Sequence, residues 1–371
     1  MTGAPALPDL AAPMFSSAVF GVDIPLVDER GAVQLLIDLG ELDPQSVLDG
    51  HVSVEDVSRR CRCMVVRDHR SGWAVKQGAN VETRESVTNE ARAYQAIADT
   101  TISGKIPRFV HADPELGVLV VEFVDGVAPR DYENDTTEEV RARYAYQLGQ
   151  LLARLHTLPV SGLGSRLPPR VLNCHRPSLQ SIEFHSGASL QALAIVQESV
   201  DLRGALETVS DNWLPIAFSH NDLRGDNILV DETSGDITLI DWEMAGLADP
   251  RWDISALLAE RLVAWLSDPG VWLPESGADP HTSAAAGLPR LHSFTRFLLA
   301  GYTATHSGIA ESAPVASSVS TWTAARLVQA AIEHCHREAT ISPLAEQMLQ
   351  IAANIFRRPV EAGRLFFGLE A

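Results

Sequence analysis

The segment Phe218–Asp253 reads FSHNDLRGDNILVDETSGDITLIDWEMAGLADPRWD and concentrates polar side chains between apolar runs. Within it, His220-x-Asp222-x-x-x-x-Asn227 precedes Ile240-Asp241-Trp242-Glu243. Two short apolar runs, Ile228–Val230 and Ile237–Ile240, read as the arms of a hairpin. That hairpin would gather Asp222, Asn227 and Asp241 at one edge. The Asp241 carboxylate and the Asn227 carbonyl are hard oxygen donors, suited to Mg²⁺ with bound phosphate. Asp222, just outside that pair, is suited to accept the proton of an attacking hydroxyl. Glu243 either joins the metal site or satisfies nearby backbone groups, and His220 is expected to be a structural hydrogen-bonder. A solvated acidic hairpin would explain the acids but not Asn227, nor the order of the set.

A second anchor comes from counting cations. Of 29 Lys+Arg, only Lys76 and Lys105 are lysines, which leaves 27 arginines. A lysine that persists in so arginine-rich a chain marks a place for a compact ammonium that a planar guanidinium does not replace. Lys76, in GWAVKQG, ends a strand-like run; Lys105, in TISGKIPRF, falls in a loop and reads as incidental.

The elements that must position these residues follow from periodicity. Residues 1–28 carry Pro and Gly with little periodicity and read as an arm, with Phe15, Val19 and Phe20 as apolar docking points. Glu29–Leu42 reads as a short helix closed by Asp43-Pro44. Val52–Val57, Cys61–Arg67 and Trp73–Gln77 read as strands, with a turn at Asp68–Gly72. A helix is expected over Glu82–Ala98, with Ala91, Tyr94, Ile97 and Ala98 as its apolar stripe and Glu90 beside it. Gly117–Val124 reads as a buried strand. Asp125–Asp135 has linker composition, and Thr136-x-x-Glu139 is a capping box for a long helix. Another helix is expected within Ser189–Thr208. Beyond Asp253 the chain reads helical over Ile254–Leu266, Leu291–Ala304, Ser320–Arg337 and Leu344–Arg357, with a loop at Pro269–Pro289. The organisation expected is an N-terminal extension over 1–50, a small β-rich lobe over 51–124 and a large helical lobe over 125–371.

Composition excludes several classes. The net charge of −19 argues against sequence-independent nucleic-acid binding, which relies on basic patches. No apolar run reaches the roughly 18 residues of a membrane helix. The first residues lack a basic n-region, so the expectation is a cytoplasmic protein with reduced thiols at Cys61, Cys63, Cys174 and Cys335. Cys61-x-Cys63 has no second pair to complete a zinc site. His334-Cys335-His336 reads as helix surface, and no G-x-S-x-G elbow surrounds Ser219 or Cys174-His175.

The set His220-x-Asp222-x-x-x-x-Asn227, Asp241-x-Glu243, Asp249-Pro250 and Asp253 resembles the aminoglycoside phosphotransferase and choline kinase group. Leu152-Ala153-Arg154-Leu155-His156 is similar to that group's first large-lobe helix. The resemblance covers roughly residues 50–260. It implies an α+β, bilobal protein-kinase-like fold, with one helix inserted in the small lobe, and an ATP- or GTP-dependent, Mg²⁺-assisted phosphotransferase. By resemblance Asp222 is the base, and Asn227, Asp241 and Glu243 serve the metal. Lys76 meets the nucleotide phosphates and pairs with Glu90, and Glu122, Phe123 and Val124 form the hinge facing adenine. One departure stands out. Asp56-Val57-Ser58-Arg59-Arg60-Cys61 has no glycine where a phosphate loop belongs, so Ser58, Arg59 and Arg60 would act on phosphates through side chains.

The acceptor is less constrained. From Gly246 to Ala371 there are 12 Asp and Glu against 9 Arg, too slight an excess to favour a polycation. Ser58-Arg59-Arg60 and Lys76-Gln77 are similar to a subgroup from peptide natural-product biosynthesis of the lanthipeptide or thioamitide kind. That resemblance implies a Ser/Thr acceptor on a precursor peptide and a separate lyase partner. The alternatives are a small-molecule kinase, such as an antibiotic phosphotransferase, and a non-catalytic pseudokinase scaffold.

Overall fold

The computed structural model describes residues 27–134, 136–160, 162–177, 185–269, 280–305 and 315–369. Phe15, Val19 and Phe20 of the expected arm lie outside them. The described residues divide between two compact units, Met1–Thr88 with Val110–Phe123, and Asn89–Phe109 with Val124–Ala371.

The first unit opens with α1 (Glu29–Asp38), capped by Asp28, whose carboxylate accepts the Gly31 N–H at 2.7 Å. This helix ends earlier than expected, at Leu39 and the left-handed Gly40 (φ 73°), and Asp43-Pro44 instead starts a second short helix, α2 (Pro44–Leu48), with Asp43 as its cap. Strands β1 (Ser53–Asp56), β2 (Arg62–Arg67) and β3 (Gly72–Gln77) follow, then α3 (Val81–Ile97), β4 (Phe109–Asp113) and β5 (Val118–Glu122). The sheet order is β1-β2-β3-β5-β4. In β3 the buried residues are Trp73, Val75 and Gln77, which puts Lys76 on the opposite face of the strand. The core beneath the sheet joins Met64, Val66, Trp73, Val75, Val118 and Val120 to Ala32, Leu36 and Leu42. Residues 27–50, grouped by sequence with the extension, thus supply a helix to this core.

In the second unit, Asp125–Asp135 is not a plain linker. Val127 exchanges backbone hydrogen bonds with Val230 at 3.0 and 2.9 Å, and α4 (Pro129–Asn134) follows. Polar composition concealed this helix because, of its two buried residues, Pro129 and Glu133, the second is charged and is paired with Arg261. The next helix, α5 (Glu138–His156), is capped by Thr137, not by the expected Thr136. Thr136 instead donates its hydroxyl to Glu133 O at 3.4 Å. Two helices, α6 (Gly187–Glu198) and α7 (Val200–Asp211), replace the single one expected; Ser199 ends the first and caps the second.

Four short strands come next: β6 (Ala217–Ser219), β7 (Ile228–Val230), β8 (Ile237–Leu239) and β9 (Gly246–Ala248). They form two antiparallel pairs, β6 with β9 and β7 with β8. The helices α8 (Arg251–Leu266), α9 (Pro280–Thr305), α10 (Val315–His334), α11 (Pro343–Arg357) and α12 (Pro359–Phe367) complete the unit. Helix α9 occupies part of the expected 269–289 loop and continues through Pro289; residues 270–279 lie outside the described set. Helices α5 and α9 pack closely because glycine faces backbone at the crossing. A Cβ on Gly149 would meet Leu298 O at 2.0 Å, and one on Gly301 would meet Tyr146 O at 2.0 Å. Helix α10 stops at His334, so Cys335 is a buried turn residue and not part of a helix surface. No helix among the described residues is long and apolar enough to cross a membrane.

Candidate active site

The chain leaves β6 through a turn that one carboxylate organises. Asp253, in the first turn of α8, is fully buried. It accepts the His220 N–H at 2.8 Å with Oδ2 and the Asn221 N–H at 2.8 Å with Oδ1. His156 Nε2 lies 3.2 Å from the same carboxylate, and His156 Nδ1 lies 2.8 Å from the Tyr302 hydroxyl. A carboxylate only accepts, so Nε2 carries a proton toward it. Burial acts to raise the Asp253 pKa. The hydrogen bond from His156, the charges of His156 and His220 and the His220 N–H outweigh it and hold the pKa below the usual carboxylate range. The stability this carboxylate contributes is therefore present above its unfolded pKa and lost as pH falls through its lowered folded value. Asp253→Asn is expected to cost about 1–3 kcal/mol by setting an amide where donors converge. Urea denaturation with parallel kinetics checks this, and kcat should fall while KM for the nucleotide holds.

Asn221 adopts a left-handed backbone, φ 66°, which asparagine tolerates well. Its side chain donates to Met244 O at 3.1 Å and ties the turn to the segment after Asp241. His220 donates from Nε2 to Ile240 O at 2.9 Å and lies against Trp242, with ring centroids 4.6 Å apart. It is a strut between the two chain segments, as expected. Farther along, both oxygens of Glu260 accept the Gly225 N–H, at 3.0 and 2.9 Å. A Cβ on Gly225 would sit 2.5 Å from that carboxylate, so glycine is what admits it.

The hairpin brings the expected polar pair together. Ile228 pairs with Leu239 in register, and the Ile240 N–H donates to Asn227 O at 3.0 Å. Asp241 follows at once in a left-handed conformation, φ 64° and ψ 64°, and starts a one-turn helix over Trp242–Met244. A non-glycine residue held there is strained, as side chains at functional sites often are. Asn227 donates its amide nitrogen to Asp222 O at 2.8 Å and to Asp222 Oδ2 at 3.3 Å. The nitrogen end therefore faces Asp222, and the carbonyl end is the one suited to a cation.

Among the described residues no three His, Cys, Asp or Glu side chains gather as a metal-holding group. Mg²⁺ does not require one. It commonly binds one or two protein oxygens and completes its shell with water and phosphate, so Asp241 and Asn227 fit it. The Glu243 backbone carbonyl accepts Asn89 Nδ2 at 2.7 Å, and Asn89 and Arg166 both donate to Ala245 O. These bonds pin the turn that carries Asp241. The Asp222 pKa is raised, first by burial and next by the nearby Glu333, while Arg326, His220 and Arg224 pull it down.

The remaining sequence-derived candidates stand on other elements. Lys76 stands opposite Cys63 and Leu119 in the first unit's sheet, and Glu90 is buried in α3, in the part of that helix belonging to the second unit. Ser58 is absorbed by its own loop: its hydroxyl accepts the Cys63 N–H at 3.0 Å, and its N–H donates to Asp56 at 2.9 Å. Arg60 pairs with Glu82 at 3.0 Å in the open, and Arg59 is exposed. Glu122 ends β5; the Phe123 N–H is taken by Gly72 O at 2.8 Å, and Arg67 lies over the Phe123 ring. Val124 begins the second unit's next segment. Lys105 is not idle, since its ammonium meets Asp236 on the hairpin at 2.6 Å.

Sequence reasoning missed Glu260 and Arg326, and gave Asp253 no role. For Glu260 a signal existed: it follows Asp253 by seven residues, two helical turns along one face of α8. Arg326 had only its oddity, a lone cation in the apolar run Ala324–Val328.

The family described as "Phosphotransferase enzyme family" matches residues 54–294. Mouse (Mus musculus) "Ethanolamine kinase 2" is 27% identical over 256 residues, covering 67% of this chain and 62% of that protein. The human (Homo sapiens) protein of the same name is 25% identical over 244 residues, covering 64% and 60%. The chain thus spans about three fifths of the length of these curated relatives. Among solved structures, Plasmodium vivax ethanolamine kinase superposes with TM-score 0.53 at 15% identity, covering 89% of each chain. Choline kinase from Cryptosporidium parvum superposes with TM-score 0.52 at 12% identity, covering 91% of this chain and 98% of the other. These two share the α+β, protein-kinase-like fold: a five-stranded sheet unit and a mainly helical unit.

Proposed function

Because this chain belongs to the phosphotransferase enzyme family, we propose that it transfers the γ-phosphoryl group of ATP to a hydroxyl of a small molecule. The observation that carries this reading is the hairpin register, which sets Asn227 beside Asp241 while Asn227 also holds Asp222. Asp222 accepts the hydroxyl proton as the oxygen attacks phosphorus, and its raised pKa makes it a better base than a solvent-exposed aspartate. Asp241 and the Asn227 carbonyl hold Mg²⁺, which when bound offsets charge on the phosphate oxygens. Asp253 and Glu260 fix the backbone on either side of Asp222, so the base is in place before substrate arrives. Lys76 supplies an ammonium to the nucleotide phosphates, and Glu122–Val124 offers backbone to the base.

The narrower reading, a precursor-peptide Ser/Thr with a lyase to remove the phosphate, rests on the Ser58-Arg59-Arg60 loop. Ser58 and Arg60 already have partners within the first unit, so a small acceptor is preferred. ADP release with ATP or GTP, measured against hydroxylated small molecules and Ser/Thr peptides, tests the choice. The expected result is transfer to a small molecule. Transfer to peptides alone would establish the narrower reading, and no nucleotide turnover with any acceptor would leave a scaffold.

Lys76→Arg is expected to lower kcat/KM for ATP about 10-fold or more although charge is kept, because a planar fork does not occupy an ammonium's place. Unchanged kinetics in this variant would remove the argument from lysine scarcity.

A further inference from the structure

Arg326 lies on α10 and is only 8% exposed. A guanidinium carries five N–H donors. Among the described residues its one side-chain hydrogen bond runs from Nη1 to Gln329 Oε1 at 2.9 Å. Gln329 passes the contact on to Glu333, which is exposed, at 2.6 Å. A buried cation with no hydrogen-bonded carboxylate is costly to keep.

Its surroundings narrow the task. Arg326 Cζ lies 4.7 Å from the centroid of the Trp252 ring, and Trp252 directly precedes the Asp253 that holds the Asp222 loop. Trp213, Trp252 and Trp322 form one cluster, with centroids 6.0–6.4 Å apart. Arg251 covers the Trp322 ring at 4.2 Å. Aromatic faces are where a protein holds an organic cation, and here the chain's own guanidinium groups cover two of them. Of the charges acting on Asp222, that of Arg326 is the largest, with His220 and Arg224 next and Glu333 opposing.

We propose that Arg326 receives an anionic group, a carboxylate or phosphate, of the molecule whose hydroxyl is phosphorylated. The inference rests on the phosphotransferase reading above and names the acceptor's class. An ammonium on the acceptor would meet a like charge at this position, whereas an anion would use the fork's remaining donors. The acceptor therefore differs in charge from the ethanolamine named for the relatives.

The test uses the full chain with ATP and Mg²⁺ and follows ADP release. One set of acceptors is 3-hydroxypropionate and glycerol 3-phosphate; the other is ethanolamine and 3-amino-1-propanol. The two anions separate a carboxylate site from a phosphate site. The expected result is faster ADP release with at least one anion than with either amine. Arg326→Gln should then lower kcat/KM for that anion about 10- to 100-fold, the loss of charge-assisted hydrogen bonds. Arg326→Lys should fall between, since it keeps the charge without the fork. The wild-type preference is read without any variant, so a variant that fails to fold does not remove the test. Preference for amines, or acceptor-free ADP release that neither set changes, overturns the assignment of Arg326. Absence of all ADP release, with or without acceptor, overturns the phosphotransferase reading itself.

Discussion

Asp241→Ala is expected to abolish phosphoryl transfer, by about 10³-fold or more, because it removes the carboxylate at the proposed metal site. Asn227 then offers only a neutral carbonyl, too weak to hold Mg²⁺ against water. Asp241 sits at φ 64° and ψ 64°, so alanine there also carries backbone strain of about 1–2 kcal/mol. Asp241→Asn separates the two effects, since asparagine tolerates the left-handed backbone and removes only the charge. Both variants should keep the circular dichroism of the parent and lose ADP release at all Mg²⁺ concentrations. Recovery of activity at high Mg²⁺ in Asp241→Asn would mean that another group is the principal ligand. Wild-type rates in both would mean that Asp241 has no part in the chemistry.

Asp222→Asn is expected to lower kcat by roughly 10²–10⁴-fold, the range for losing a positioned general base. The substitution keeps the side-chain volume, and its Oδ1 still accepts the Asn227 amide, so nucleotide affinity should change little. The pH profile adds a second check. Asp222 must be ionised to act, and its pKa is raised, mainly by burial. Wild-type activity should therefore rise with pH through a limb displaced upward from that of a solvent-exposed aspartate. The residual activity of Asp222→Asn should lack that limb. Retention of the same acid limb in the variant would assign it to another group.

Much of this was legible in residue order. The three strands ending at Gln77 and the helix after them showed in the sequence because β2 carries a continuous apolar run, Met64–Val66, β3 alternates with period two, and the helix has an apolar stripe at period 3.6. The hairpin showed because two apolar runs flank a turn-rich stretch, and its register follows from burying Ile228, Val230, Ile237 and Leu239. Helix α4 did not show. Its buried residues are Pro129 and the charged Glu133, and burial of the latter became favourable only when Arg261, far along the chain, supplied the opposite charge. The cap at Thr137 over Thr136 was decided by one residue of phase, which two adjacent threonines leave open.

The sequence by itself singled out the side chains whose types and spacing suit the chemistry, Asp222, Asn227 and Asp241, and the residue-by-residue alternation along β3, where Val75 and Gln77 are buried, turns Lys76 away from the core. Tertiary structure alone decided what holds them. Asp253 meets His220 and Asn221 across 33 and 32 residues, Glu260 meets Gly225 across 35, and Arg326 comes to Trp252 from a helix 74 positions on. Local periodicity reports which face of an element is apolar, because that depends only on neighbours within a few residues. Which distant polar group satisfies a buried N–H depends on how whole elements pack, and no local pattern encodes it.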